Sequence, residues 1–342
     1  MDDIKDLDLD QLKDVLKKWQ EPEFRAGQIF SWIYQKGVAG FEQMSNLPLD
    51  LRKRLQDKFY VLGFQTAEKL RSQDGSEKLL FALKDGNLIE SVSIPIKDRV
   101  TACLSAQVGC KFSCRFCASG ISGFKRDLSC GEIIEQAWHL KDSSTDKRLT
   151  HIVFMGTGEP LDNYDNVLKA TRIINAKYSF NIAARHITIS TSGIIPQIER
   201  LSAEGLQIEL SISLHAADDK LRSNLMPINK KYPLPKLMQA VGSYIKKTNR
   251  QVTFEYILIK GVNSSLANAK KLAILLRGLN CKVNLIICNY IKELRIEPPD
   301  RSEILLFKDR LLKSAIPVTL RKSRGQDIAA ACGQLRLRYE KK

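Results

Sequence analysis

Three cysteines fall within eight residues in the run Gly109-Cys110-Lys-Phe-Ser-Cys114-Arg-Phe-Cys117, spaced C-x3-C-x2-C, and no fourth follows to complete the set. A structural zinc site takes four ligands, typically as two pairs. An iron–sulfur cube held by three thiolates keeps one iron open. Open irons of this kind are where S-adenosylmethionine (SAM) is bound and split to make a radical. The loop therefore points to radical chemistry. Gly109 at its entry and Ala118-Ser119-Gly120 at its exit free the backbone to bring thiolates together. The rings of Phe112 and Phe116 can shield a cluster from water. Two other readings stand beside this one: structural zinc, and buried core cysteines, which the flanking Lys111 and Arg115 suit poorly.

Further polar motifs follow apolar runs. Met155-Gly156-Thr157-Gly158-Glu159-Pro160 offers glycines for close backbone approach and a carboxylate, Glu159, able to take an ammonium group. Ser190-Thr191-Ser192-Gly193, Ser211-Ile-Ser213-Leu214-His215 and Asn284-Leu-Ile-Ile-Cys-Asn289 end in hydroxyls, imidazole and amide. Each alone reads as a strand-end cap or turn; together at successive strand ends they read as a site for the ribose, carboxylate and adenine of SAM. Gly158, Glu159, Ser190, Ser213, Leu214, His215 and Asn289 are the candidate cofactor contacts. Two more cysteines stand apart: Cys103, just before the loop, and Cys332 in a Gly-containing basic tail, where a low-pKa nucleophile is plausible chemistry. Cys130, Cys281 and Cys288 have apolar settings and read as structural.

Positioning these groups falls to alternating β and α segments. The spacing predicts strands at 100–104, 151–155, 186–190, 208–214, 252–259, 282–287 and 318–321, with helices at 132–140, 164–175, 196–204 and 268–279 between them. Such alternation argues for parallel strands joined by right-handed crossovers. A full or partial α/β barrel and an open doubly wound sheet both satisfy the pattern; in a barrel the chemistry sits at the carboxyl ends of the strands. Upstream, Lys78–Leu83 and Leu88–Pro95 around a turn at 84–87 read as a β-hairpin, with Glu90 an oddity that would ordinarily face solvent. Residues 1 to about 60 read as short helices, either a nucleic-acid-binding module or a cap on the main body. The expected division is 1–62 helical accessory domain, 63–97 hairpin linker and 98–342 catalytic α/β domain.

The chain has 342 residues and no apolar run of membrane-spanning length. Eight clustered cysteines suit a reducing compartment, so a cytoplasmic protein is expected. A net charge of +16, concentrated partly in residues 321–342, points to a polyanionic partner such as nucleic acid.

The cluster motif with its lead-in from Cys103, the runs 156–160, 190–193 and 213–216, Leu225-Met-Pro-Ile-Asn-Lys-Lys-Tyr232 and Arg324-Gly-Gln-Asp-Ile-Ala-Ala-Ala-Cys332-Gly-Gln-Leu335 resemble the radical-SAM adenine-carbon-2 RNA methyltransferases, the RlmN family. The likeness runs from the N-terminal helices to the tail. One departure is that Ile287 and Tyr290 stand where the family commonly has proline. The resemblance implies a radical-SAM partial (β/α) barrel, a [4Fe-4S] cluster on Cys110, Cys114 and Cys117, and two SAM molecules per turnover. It implies that Cys332 takes a methyl group from one SAM, that a second SAM yields the radical that activates this methyl, and that Cys103 then forms a transient disulfide with Cys332. Glu90 matches the position the family uses near the substrate base, which implies a role as proton acceptor. The implied partners are 23S rRNA, some tRNAs, and a one-electron reductant such as flavodoxin or ferredoxin; a monomer is expected. Two rivals remain at this point, the related carbon-8 adenine methyltransferase and a non-catalytic zinc-binding RNA-interaction protein.

Overall fold

The computed structural model describes residues 1–120, 123–143, 148–288, 296–321 and 324–328. Its N-terminal part is built from β1 (Asp2–Asp3), α1 (Leu9–Lys18), α2 (Phe24–Phe30), α3 (Leu49–Lys58) and β2 (Phe59–Tyr60). Asp8 and Gln11 close a reciprocal capping box at the start of α1, satisfying backbone donors a helix start leaves open. Leu12 and Leu16 of α1, Ile29 and Phe30 of α2, and Leu51 and Leu55 of α3 are buried, as helical spacing predicts.

A ten-stranded sheet carries the rest. β3 (Gln65–Arg71), β4 (Glu77–Ala82), β5 (Leu88–Ile96) and β6 (Arg99–Cys103) form an antiparallel run. The hairpin expected at 78–95 is present and gains β3 as a third strand; through β5 and β6 it continues into the main sheet. A separate two-stranded ribbon, β7 (Gln107–Gly109) with β8 (Phe124–Asp127), brackets the cysteine loop. Then α4 (Cys130–Ser143), β9 (His151–Phe154), α5 (Tyr164–Asn175), β10 (Ile187–Thr191), α6 (Ile195–Leu201) and β11 (Glu209–Ser213) alternate. The chain goes on through α7 (Asp219–Leu225), α8 (Leu234–Thr248), β12 (Val252–Leu258), α9 (Leu266–Leu275), β13 (Cys281–Ile287), α10 (Arg301–Leu312) and β14 (Val318–Arg321). All seven predicted strands of this region occur within a residue or two of their expected bounds.

The strand order is β14-β13-β12-β11-β10-β9-β6-β5-β4-β3. From β6 to β14 the order follows the chain without reversal and every pair is parallel. A doubly wound sheet reverses its order at a switch point; this one does not, so right-handed crossovers put the helices on a single face. The fold is a partial (β/α) barrel with an antiparallel extension, the architecture expected from the sequence.

Register shows why the two faces differ. Ile189, Leu210, Val252 and Cys281 pair across one row, and Ile212, Phe254, Val283 and Val318 across another. These rows face the helices and lie in the core. The rows between them are polar: Ser190, Ser211, Thr253 and Lys282, then Ser213, Glu255, Asn284 and Thr319. A parallel sheet covered on both faces is apolar throughout, so strict alternation here marks an inner face reserved for polar ligands.

The N-terminal part is tied to the barrel by a buried charge cluster. Lys5, fully buried, lies 2.8 Å from Asp3 and 3.1 Å from Glu135 of α4, and also donates to the Val61 carbonyl. Glu135 accepts in addition from the backbone N–H groups of Gly63 (2.8 Å) and Phe64 (3.0 Å). Two carboxylates share one ammonium. Burial raises the Asp3 carboxyl from 3.8 to about 6, against the pull of Lys5. An acid with a raised folded-state pKa takes up a proton on folding, so its ionisation opposes folding above about 6 and that cost disappears as pH falls toward 3.8. Denaturant titrations of wild type and Asp3→Asn should therefore show the wild type gaining stability relative to the variant between pH 6 and 4; parallel curves would contradict this assignment.

Candidate active site

The cysteine loop is closed at its base by the β7–β8 ribbon, and Cys110 N–H donates to the Gly123 carbonyl at 3.1 Å. Gly109 has φ +80°, and a Cβ there would sit 1.7 Å from the Gly123 oxygen, so only glycine permits this entry. Inside the loop, Cys117 N–H donates to the Cys114 carbonyl (3.1 Å) and Gly120 N–H to the Cys117 carbonyl (3.2 Å). Arg115 N–H donates to the Leu225 carbonyl at 3.0 Å, fastening the loop to the end of α7. The Phe116 ring meets His215 edge-on with centroids 4.6 Å apart. Burial pushes the Cys110 thiol up to about 12, with Cys117, Glu159 and Asp162 adding to the shift, while a Phe112 N–H bond to the sulfur works the other way. Cys114 is raised by burial and then by Cys117 and Cys110. The Cys110 and Cys114 sulfurs thus share a low-dielectric environment, and each is opposed by the others when ionised, a situation a bound cation relieves.

The rim motifs converge on this loop. Gly158, at φ +99°, lets the 156–160 turn press against Gln107, where a Cβ would come within 2.5 Å of its side chain. Gln107 Oε1 accepts from the Glu159 N–H at 2.8 Å. Glu159 is buried and accepts from the backbone N–H groups of Ser192 (2.7 Å) and Leu161 (3.0 Å). Burial raises its pKa, and the Ser192 and Thr191 donors oppose that rise. Ser190 and Ser213 stand on the inner face in adjacent strands, Leu214 is buried, and His215 takes φ +58°, a left-handed conformation costly for a residue with a Cβ. His215 Nδ1 accepts from the Ile257 N–H at 3.0 Å, which leaves the ring proton on Nε2. Burial and then Arg222 lower its pKa to about 3, so the imidazole is neutral at physiological pH. Asn289 and Cys332 lie outside the described residues.

Several residues that hold the site were not singled out by sequence reasoning. Arg222 of α7 is wholly buried and donates to the carbonyls of Ser192 (2.6 Å), Ser213 (3.2 Å) and Leu214 (3.2 Å), and to Asn229 Oδ1 (2.6 Å). One guanidinium thereby ties the ends of β10 and β11 together, and Cys114 contributes to its electrostatic environment. No local pattern distinguishes Arg222 from any other helical arginine. Glu255, 3% exposed, accepts from Ser211 Oγ (3.0 Å) and Asn284 Nδ2 (2.9 Å), with Arg321 3.7 Å from its second oxygen. Its signal was present: a carboxylate at an inward position of the alternating strand Val-Thr-Phe-Glu-Tyr.

Glu90 does not face solvent, as an ordinary residue of an antiparallel strand would. It is 4% exposed and ion-paired at 2.7 Å with Lys78, whose side chain is fully buried. Register puts Lys78 opposite Val92 and Val92 opposite Cys103, while Glu90 is two residues from Val92. Lys78, Glu90 and Cys103 therefore share the inner face. Ser105 Oγ donates to the Glu90 carbonyl (2.7 Å) and accepts from Thr157 N–H (2.9 Å), joining this corner to the 156–160 turn. None of the seven described cysteines is disulfide-bonded; Cys130, Cys281 and Cys288 are buried, as their apolar settings predicted.

These residues fit an iron–sulfur cluster with SAM. Three thiols come from one pinned loop, and the buried hydroxyl Ser119 Oγ, two residues past Cys117, has no hydrogen-bond partner among the described residues. Among those residues no three Cys, His or carboxylate side chains are gathered closely enough to share a single metal ion. No described helix is long and apolar enough to cross a membrane.

Comparison with known proteins agrees with this geometry. The Radical SAM superfamily matches residues 104–272, and the Ribosomal RNA large subunit methyltransferase N-terminal domain matches residues 2–61. The chain is 49% identical over 340 residues to the "Probable dual-specificity RNA methyltransferase RlmN" of Geobacillus kaustophilus, covering 99% of this chain and 93% of that protein. It is 45% identical to the protein of the same description from Clostridium novyi, with 99% of each chain covered. A crystal structure of a radical SAM methyltransferase from Sphaerobacter thermophilus superposes with a TM-score of 0.94 at 42% identity, covering 98% of this chain and 99% of that one.

Substituting Ala for Cys110, Cys114 or Cys117 should leave a folded protein holding less than about a tenth of the wild-type iron after anaerobic reconstitution. Cys130→Ala should load normally. Iron and sulfide analysis checks both, and normal loading in any of the first three would remove that residue from the ligand set.

Proposed function

The chain belongs to the RlmN family of radical-SAM RNA methyltransferases, and from that premise we propose that it methylates carbon 2 of a specific adenine in 23S rRNA and of an adenine in some tRNAs, through a methylcysteine intermediate. The dual specificity printed in the relatives' names supports two RNA substrates. The observation that carries the reading is the sharing of one inner face by Glu90 and Cys103, beside the three-cysteine loop. Neither a zinc-binding module nor core packing calls for a buried carboxylate and a thiol on the polar side of this sheet.

Carbon 2 of adenine is electron-poor and does not attack a methyl group as a nucleophile. SAM and a cluster on Cys110, Cys114 and Cys117 supply, when bound, a methyl group and a carbon radical, two SAM molecules per turnover, with a one-electron donor such as flavodoxin or ferredoxin. Gly158, Glu159, Ser190, Ser213, Leu214, His215 and Asn289 are the proposed SAM contacts. Glu159, with its pKa raised, is fixed by two backbone donors so that its carboxyl does not swing. Neutral His215 donates through Nε2 and brings no second positive charge toward a sulfonium.

Cys332 carries the methyl carbon to the base. Once that carbon is bonded to C2, the adduct passes its unpaired electron back to the one-electron carrier and Glu90 removes the C2 proton, with Lys78 orienting its carboxylate from 2.7 Å. The Cys103 thiolate then attacks Sγ of Cys332; an S–S bond forms, the S–C bond breaks with its electron pair staying on the carbon, that carbon takes up a proton, and the methylated base leaves. A thiol reductant restores both cysteines. The N-terminal helices contact RNA phosphates in this proposal. Exposed Lys17, Lys18, Lys53 and Lys58 lie there, with Arg54 stacked 4.7 Å over Trp19 and Lys36 3.4 Å over Trp32.

Mass spectrometry of digested 23S rRNA and bulk tRNA, after anaerobic incubation with labelled SAM, should find 2-methyladenosine; 8-methyladenosine alone would overturn the regiochemistry. Cys332→Ala should cleave SAM and transfer no methyl. Glu90→Gln should lower the methylation rate by about 10²- to 10⁴-fold, the range of general-base catalysis, while SAM cleavage persists; wild-type methylation by either variant would remove its residue from the mechanism.

A further inference from the structure

The two edges of the ten-stranded sheet are β3 and β14. The turn after β3 and the segment after β14 lie against each other through three hydrogen bonds, and a fourth joins that segment to β5. Ser72 Oγ donates to Asp327 Oδ1 at 2.6 Å, and Gln73 N–H donates to Asp327 Oδ2 at 3.1 Å. In the opposite sense, Gly325 N–H donates to Asp74 Oδ2 at 3.0 Å. Arg324 Nη1 reaches the Pro95 carbonyl at 3.4 Å. Each segment thus offers a carboxylate to the other's backbone, and the residues joined are more than 220 apart in sequence.

The turn is built for this before the tail arrives. Ser72 N–H donates to the Ser76 carbonyl (2.8 Å), Gly75 N–H to the Ser72 carbonyl (3.0 Å) and Ser76 N–H to Asp74 Oδ1 (2.9 Å), with Gly75 at φ +84°. Ser72 and Asp74 therefore shape the turn and hold the tail with the same side chains. Against a desolvation that would raise it, the Ser76 and Gly325 donors keep the Asp74 carboxyl at about 2, so the contact persists at neutral pH.

We propose that the Ser72–Ser76 turn is a catch that closes the seam of the partial barrel and positions the C-terminal tail, so that Cys332 works only over the inner face. This rests on the carrier role proposed for Cys332. Cys332 is the fourth residue after Ile328, an extended reach of about 14 Å at most. Lys78, two residues beyond the turn, faces Cys103 through Val92 across two strand spacings, about 10 Å. The catch thus tethers the tail within range of Cys103 and Glu90. Asp74, Asp327 and Ser72 are positioning residues in this scheme; they touch no reacting atom.

The test uses full-length, cluster-loaded Asp74→Ala, Asp327→Ala and Ser72→Ala, each checked for wild-type iron content and thermal melting. Hydrogen exchange at residues 324–328 should rise about tenfold or more in the two Asp variants, and less in Ser72→Ala, as loss of these hydrogen bonds requires. The ratio of 5′-deoxyadenosine formed to adenine methylated should rise about tenfold, with Asp327→Glu restoring part of the coupling. Unchanged exchange in both Asp variants would overturn the catch. Faster exchange with an unchanged ratio would overturn its positioning role. If Cys332→Ala keeps methylating, the carrier reading fails on its own, and the exchange measurements still decide whether the tail is held here.

Discussion

Strict alternation along the parallel strands is the constraint on which the molecule depends. Ile189, Leu210, Val252 and Phe254 take the helix-facing positions and supply the core, which frees the alternate positions for serine, glutamate, asparagine and arginine. Burial of apolar side chains on one face supports the fold. Polar groups on the other face cost stability unless partnered, and Ser211, Glu255 and Asn284 partner one another there. The chemistry is therefore a property of the sheet, and the cysteine loop is one of several parts hung on its carboxyl end.

Rigidity at that end comes from side chains reaching backbone. Arg222 gathers the carbonyls that terminate β10 and β11, Glu159 gathers the N–H groups of Ser192 and Leu161, and Ser105 links Glu90 to the turn at 156–160. Removing one partner of the buried Lys78–Glu90 pair would strand a charge at a cost of about 3–5 kcal/mol. A site made this way keeps its groups in place without help from the ligand, which is what electrostatic preorganisation requires.

Much of this was legible in the chain, and the limits have physical causes. The seven barrel strands were readable because each alternates, and the three-cysteine loop because its spacing is local. Choosing between barrel and doubly wound sheet needed strand order, which no local pattern carries. The burial of Glu90 was not legible in its own strand because it depends on Lys78, two strand positions away on β4; the opposite charges lie diagonally across the hairpin and become partners only once register is known. Arg222 and the contacts of Asp74 with Gly325 and of Ser72 with Asp327 depend on segments distant in sequence or on tertiary packing, and were invisible for that reason.

The central claim is that groups from the β5–β6 corner and the tail act in order on one base. Cys103→Ala gives the most direct test. Incubated anaerobically with SAM and RNA substrate, it should accumulate a covalent link between Cys332 and the target adenine, visible as a protein–RNA adduct and mapped to that cysteine by mass spectrometry. Release of methylated RNA at the wild-type rate, with no adduct, would contradict it.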